Sequence, residues 1–185
     1  GLGDVYKRQG KYRSLYRNDA NYADLDYRVT MALSGSGTES AGYIFFRAVP
    51  TPENSAGDIY SGYMFGYSTF GTFGIWKASA NNWTTIVNWT ASAAIIGSGQ
   101  NELRAVATGT ALTFYINGVQ VHTTTDSLLP WGRVGFGLYD KNNTLTVHQA
   151  SLAGTSVQGA NAVAAQGNEA TPASTGNGDI NLPQP

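Results

Sequence analysis

The chain has 185 residues, 12% of them charged, a formal net charge of -1 and no cysteine. That length suits one domain with a core of its own. The near-cancelling charge excludes an electrostatic grip on nucleic acid, and the missing cysteines exclude disulfides, thiolate catalysis and cysteine-ligated zinc. No apolar run approaches the length of a membrane-spanning helix.

The first nine residues, GLGDVYKRQ, carry no initiator Met and resemble a junk peptide that recurs at the broken ends of translated metagenomic assemblies. Residues 1–9 are therefore expected to be a non-native leader, and Lys7, Arg8, Lys11 and Arg13 are not read as a functional patch. Residues 10–154 follow as a run of β-patterned segments, with strands predicted over 11–16, 27–33, 42–49, 60–68, 72–78, 84–90, 101–108, 111–117, 119–124, 134–139 and 144–152. The connections SGSG, PTPENSAGD, SANN, GSG, NG and DKNN carry turn chemistry, with Asn117-Gly118 the sharpest hairpin signal. No stretch keeps a helical period over three turns. Strands this short and this regularly spaced predict an all-β, two-sheet sandwich. From 155 to 185 the chain is Ala, Gly, Asn, Ser, Thr, Gln and Pro without period, which predicts a flexible tail or linker.

Alternation assigns the faces. Leu112, Phe114 and Ile116 share one side of their strand and are expected in the core. In GYIFFRAV both sides are bulky: Tyr43, Phe45 and Arg47 alternate with Ile44, Phe46 and Ala48. Such a strand is expected to meet the second sheet on one face and to line a polar, aromatic concavity on the other. SGYMFGYS behaves alike, with Tyr63, Phe65 and Tyr67 opposite Gly62, Met64 and Gly66. In NWTTIVNWT, strand parity puts Trp83, Thr85, Val87 and Trp89 on one face.

The ordered set GYIFFR, SGYMFGYS, FGIWK, NWTTIVNWTASAAI, NELRAVATGTALTFYINGVQV and GRVGFGLYD resembles the bacterial concanavalin A-like jelly-roll group, which includes laminin G-like and 3-keto-disaccharide-hydrolase-type domains. The resemblance covers roughly Lys11 to Gly154 and implies an antiparallel jelly-roll sandwich whose usual first strand is missing. It also implies that Trp83 and Trp89 close a hairpin and hold the sheet. Rings six strand residues apart lie roughly 20 Å from one another, too far to stack on adjacent sugar units, which agrees with that role. The NWT triplets and Asn142-Asn143-Thr144 fit the N-glycosylation pattern.

Catalytic equipment is sparse. Jelly-roll glucanases carry carboxylates at alternate strand positions, E-x-D-x-x-E, because acid and nucleophile must share a face within about 5 Å. No strand here has that pattern, and His122 and His148 lie on different strands without a nucleophile motif. Calcium is the one candidate cofactor, with oxygens from Asp140, Asn142 and Asn143 in one loop and Glu53, Asn54 and Asp58 in another; turn chemistry explains the same residues without metal. The expected function is a non-catalytic, lectin-like domain outside the cell or in its envelope, binding a polysaccharide or glycan. Tyr43, Arg47, Tyr63, Trp76, Lys77 and Tyr139 are the candidate ligand-binding residues, aromatics for sugar faces and cations for hydroxyls or carboxylates. Parity lets at most one of Trp76 and Lys77 line that face. A structural or adhesive spacer within a larger chain is the alternative, and the resemblance alone suggests a glycoside-processing hydrolase.

Overall fold

A computed structural model describes residues 12–17, 19–35, 40–50, 59–139 and 142–157. Every regular element among them is a strand: β1 (Tyr12–Tyr16), β2 (Asn21–Gly35), β3 (Ala41–Pro50), β4 (Ile59–Ser68), β5 (Thr72–Ser79), β6 (Asn82–Ala91), β7 (Asn101–Thr108), β8 (Ala111–Ile116), β9 (Val119–Thr125), β10 (Arg133–Tyr139) and β11 (Asn143–Val157). They form two antiparallel sheets, one ordered β1-β10-β3-β4-β5-β6 and the other β11-β2-β7-β8-β9. The local meanders β3 to β6 and β7 to β9 each stay within one sheet, while β2, β10 and β11 carry the chain between sheets. That is a jelly-roll sandwich.

The hairpins follow from their turn residues. Asn117 (φ 50°) and Gly118 (φ 79°) both adopt the left-handed conformation, the pair a type I′ turn requires between twisted strands. Ala80 (φ 49°) and Asn81 (φ 65°) do the same between β5 and β6, where Ala is a poor fit to the geometry.

The main core lies between the sheets. One sheet contributes Leu25, Val29, Met31, Leu103, Leu112 and Phe114, and the other Ile44, Phe46, Tyr63, Phe65, Phe73 and Ile75. Leu112, Phe114 and Ile116 are inside, as alternation requires. Each such fully buried side chain contributes about 1.5–3 kcal/mol of transfer free energy. A second buried cluster sits on the outer face of the six-stranded sheet and is built from that sheet's own residues, among them Tyr16, Tyr43, Phe45, Met64, Trp76 and Tyr139. Two-sided burial explains why β3, β4 and β5 read as nearly continuous apolar runs.

Two strands run longer than their patterns suggest. β2 begins at Asn21 rather than 27, because Tyr22 and Leu25 are both buried three residues apart and the alternation breaks between them. β11 continues to Val157, past the expected boundary at 154, paired with β2 as far as Asn21. Residues 1–11 and 158–185 lie outside the described residues, and with them the expected leader and most of the expected tail.

Candidate functional site

Register arranges the outer face of the six-stranded sheet in rows across the strands. One row runs Tyr16, Gly135, Phe45, Met64, Trp76, Thr85, and the next Ser14, Gly137, Tyr43, Gly66, Gly74. The glycines give the rings somewhere to lie. A Cβ at Gly66 would collide with the Tyr43 ring, one at Gly74 with the Trp76 indole, and one at Gly135 would meet Tyr16 at 2.8 Å.

The rings then touch in sequence across the sheet. Trp89 meets Trp76 edge-on at 5.0 Å between centroids, Trp76 meets Tyr43 at 6.2 Å, Tyr43 meets Phe45 at 6.5 Å, and Phe45 meets Tyr16 at 5.5 Å. These separations are those of favourable aromatic pairs. Tyr43 and Trp76 are 3% and 1% exposed, whereas Trp83 and Trp89 are only partly buried against the cluster. The two β6 tryptophans thus form the rim, and the other rings support them.

Strand parity alone does not produce this rim. Thr85 pairs with Trp76, Val87 with Ile75 and Thr90 with Phe73, so β6 takes up two extra residues in bulges. Ile86 and Val87 both reach the inter-sheet core, and Trp83 and Trp89 remain outside. Val87 therefore does not share the tryptophans' face, contrary to simple alternation.

The aromatic face is short of acceptors. The indole Nε1–H groups of Trp76 and Trp83 and the hydroxyl of Ser14 are buried without a hydrogen-bond partner among the described residues. Leaving such a group unsatisfied costs about 1–3 kcal/mol. Burial, with the nearby Tyr139 adding to it, pushes the Tyr43 phenol far above its ordinary range and keeps it neutral. The face therefore presents the partly exposed rings of Trp83 and Trp89, with unpaired indole N–H groups buried directly behind their surface.

The six predicted binding residues divide between two places. Tyr43, Trp76 and Tyr139 belong to the outer aromatic cluster. Arg47 does not join them: register shifts follow Phe46, Arg47 takes φ 47°, and its side chain is 1% exposed. Its guanidinium donates to the carbonyls of Ala23 (2.8 Å), Leu129 (3.2 Å) and Gly109 (2.8 Å), with Asp24 at 3.7 Å. Arg47 thereby ties β3 to β2, to the β7–β8 turn and to the β9–β10 connection.

Tyr63 also points between the sheets, stacked on Phe46 at 5.0 Å, and its hydroxyl donates to Asp126 Oδ1 at 2.9 Å. Lys77 forms an ion pair with the other oxygen of Asp126. Burial pushes the Asp126 carboxyl up, but donors from Lys77, the Leu128 amide and Tyr63 outweigh it and hold the group below the usual carboxylate range. The expected mixed aromatic and cationic concavity is thus two separate features, because a bulge after Phe46 and the parity of β4 and β5 send the cations and Tyr63 inward. Nothing in the local pattern TTTDSLL marks Asp126 as the acceptor for two distant strands.

Of the calcium candidates, Asp140, Glu53, Asn54 and Asp58 lie outside the described residues, and Asn143 is buried where β11 begins. Among the described residues no three His, Cys, Asp or Glu side chains come together as a metal site.

No protein-family model and no curated sequence matches the chain. Solved structures do. The carbohydrate-binding module CBM66 from Bacillus subtilis is similar over 78% of this chain and 83% of its own, with a TM-score of 0.63 at 17% identity. The exoplasmic/lumenal domain of VIP36, in a form bound to Ca2+ and mannose, is similar over 84% and 79% with a TM-score of 0.58 at 11% identity. A putative glycosyl hydrolase from Parabacteroides distasonis is similar over 79% and 78% with a TM-score of 0.54 at 8% identity. The chain therefore has the concanavalin A-like jelly-roll fold, shared by sugar-binding proteins and glycan hydrolases alike. At these identities the likeness fixes the architecture and leaves the activity to the site.

Proposed function

We propose that this domain is a non-catalytic carbohydrate-recognition module, acting outside the cell or in its envelope, that takes a glycan on the outer face of its six-stranded sheet. The observation that carries the reading is the chain of contacting rings ending at the partly exposed Trp89, with Trp83 packed against the same cluster and two buried indole N–H groups that find no acceptor among the described residues. A sugar ring supplies both complements, an apolar C–H face for the indoles and ether or hydroxyl oxygens for their N–H groups. Arg47 and Lys77 have no part in this site, since their donors are engaged elsewhere. Asp26 and Asp126 are held as carboxylates by cationic partners, a state that suits neither to act as a general acid at neutral pH.

The test is isothermal titration with a panel of neutral oligosaccharides, each with calcium and with chelator. Wild-type binding that falls at least about tenfold in Trp83→Phe, which keeps an aromatic ring of smaller area and removes the N–H, supports recognition at this face. A second reading rests on the near-complete burial of Tyr43 and Trp76: the face is a second core, and the domain is a structural or adhesive spacer. Cooperative melting without any ligand in the panel favours that spacer. Loss of binding in chelator would bring calcium into the site.

A further inference from the structure

The five-stranded sheet has an outer face of the opposite character. Its register aligns one polar side chain from every strand in a single transverse row: Ser151 (β11), Arg28 (β2), Arg104 (β7), Tyr115 (β8) and Gln120 (β9). All five are partly or fully exposed. Two cations directly opposed on neighbouring strands are unfavourable by themselves. Asp26 resolves the conflict from the adjoining row. Its Oδ1 accepts Nε of Arg104 at 2.8 Å and of Arg28 at 3.2 Å, and its Oδ2 accepts the Nη2 groups at 2.7 and 3.0 Å.

Arg104 also lies over the Tyr115 ring, 4.8 Å from its centroid. Both guanidiniums are therefore fixed in plane by a single carboxylate, while Nη1 of each has no acceptor among the described residues. Fixed guanidinium edges at a solvent-open face are the arrangement that recognises carboxylate and sulfate oxygens, because little side-chain entropy remains to be lost on binding. Glu102, two positions before Arg104 and so on the same face, is within electrostatic range of both cations and moderates the site.

We propose that this row is a second binding surface, independent of the aromatic face, which takes the oxyanion groups of an acidic polysaccharide through Arg28 and Arg104. Dextran sulfate is the probe and unsulfated dextran its control, since the backbone is shared and only the charge differs. The row is expected to bind dextran sulfate with an affinity that falls as salt rises, and to ignore dextran. Arg104→Gln and Arg28→Gln should each weaken binding at least about tenfold, and Glu102→Gln should tighten it about two- to fivefold. Trp83→Phe should leave it unchanged, so failure here is distinct from failure of the aromatic site. Arg28→Gln and Glu102→Gln alter partly exposed side chains and keep the test open should Arg104→Gln fail to fold. Absence of binding at low salt, equal binding of both dextrans, or binding that survives both arginine substitutions would overturn the proposal.

Discussion

Arg47 is the residue on which sequence and structure part most clearly, and the reason is geometric. A cation beside aromatics on a strand reads as a ligand contact, but the bulge that follows Phe46 turns it toward three backbone carbonyls, one on β2 and two in separate connections. Arg47→Met would leave those carbonyls without their donor in a buried setting, and we expect a loss of about 3–5 kcal/mol in urea unfolding. Arg47→Lys should recover little of it, since one ammonium cannot reproduce the spread of the guanidinium fork.

Asp26 gives the residue-scale prediction for pH. Hydrogen bonds from Arg104, then Arg28, hold its carboxyl down to about 2, against burial, from an ordinary value of 3.8. The folded state therefore binds this proton more weakly than the unfolded chain does. The resulting stability is complete above about pH 4 and is lost as pH falls from there toward about 2. Its size is about 1–2 kcal/mol once solvent screening of the part-exposed arginines is allowed for. Acid unfolding of Asp26→Asn should lack this component, and an unchanged pH profile would contradict the assignment.

At the scale of elements, all eleven strands are legible from turn residues and alternation, and the failures are informative. β11 continues through small polar residues because β2 offers it backbone partners as far as Asn21, across two register shifts, a stabilisation that side-chain pattern does not register. β6 hides its two bulges, since Ile86, Val87 and the tryptophans are all plausible on either face. Pairing Trp83 and Trp89 by simple parity reached the right face for the wrong reason.

The β5–β6 hairpin carries three measurable consequences. Trp76→Ala should cost about 3–5 kcal/mol, while the partly buried Trp89→Ala should cost less, about 1.5–3 kcal/mol; thermal unfolding of the two variants checks the order. Gly74→Ala should cost about 1–3 kcal/mol, because the added methyl meets the Trp76 indole. In the β5–β6 hairpin, Ala80→Asn should raise stability by about 0.5–1 kcal/mol, since Asn tolerates the left-handed conformation that Ala occupies.

For the whole molecule, the sandwich presents two unlike outer faces: aromatic and short of acceptors on the six-stranded sheet, polar and solvent-open on the five-stranded one. The fold was readable because burial on alternate positions leaves a periodic trace. The outer aromatic cluster was readable only in part, because Tyr43, Trp76 and Tyr139 announce themselves as aromatics on glycine-rich strands, whereas an unsatisfied indole N–H is a property of packing. Tyr63 and Lys77 show the limit, since either face of β4 or β5 could have taken them until Asp126 arrived from a distant connection.

A glycan seated on the rim tryptophans would supply acceptors to the indole N–H groups of Trp83 and Trp76. The chain has four tryptophans, so a 15N-labelled sample gives four indole N–H resonances, assignable by single Trp→Phe variants. Trp131, on the connection before β10, belongs to neither buried cluster and serves as the internal control. Titrated with a bound neutral oligosaccharide, the Trp76 and Trp83 resonances should move downfield as their N–H groups gain acceptors, while that of Trp131 stays in place. A ligand that binds and leaves the Trp76 and Trp83 resonances unmoved would contradict the account.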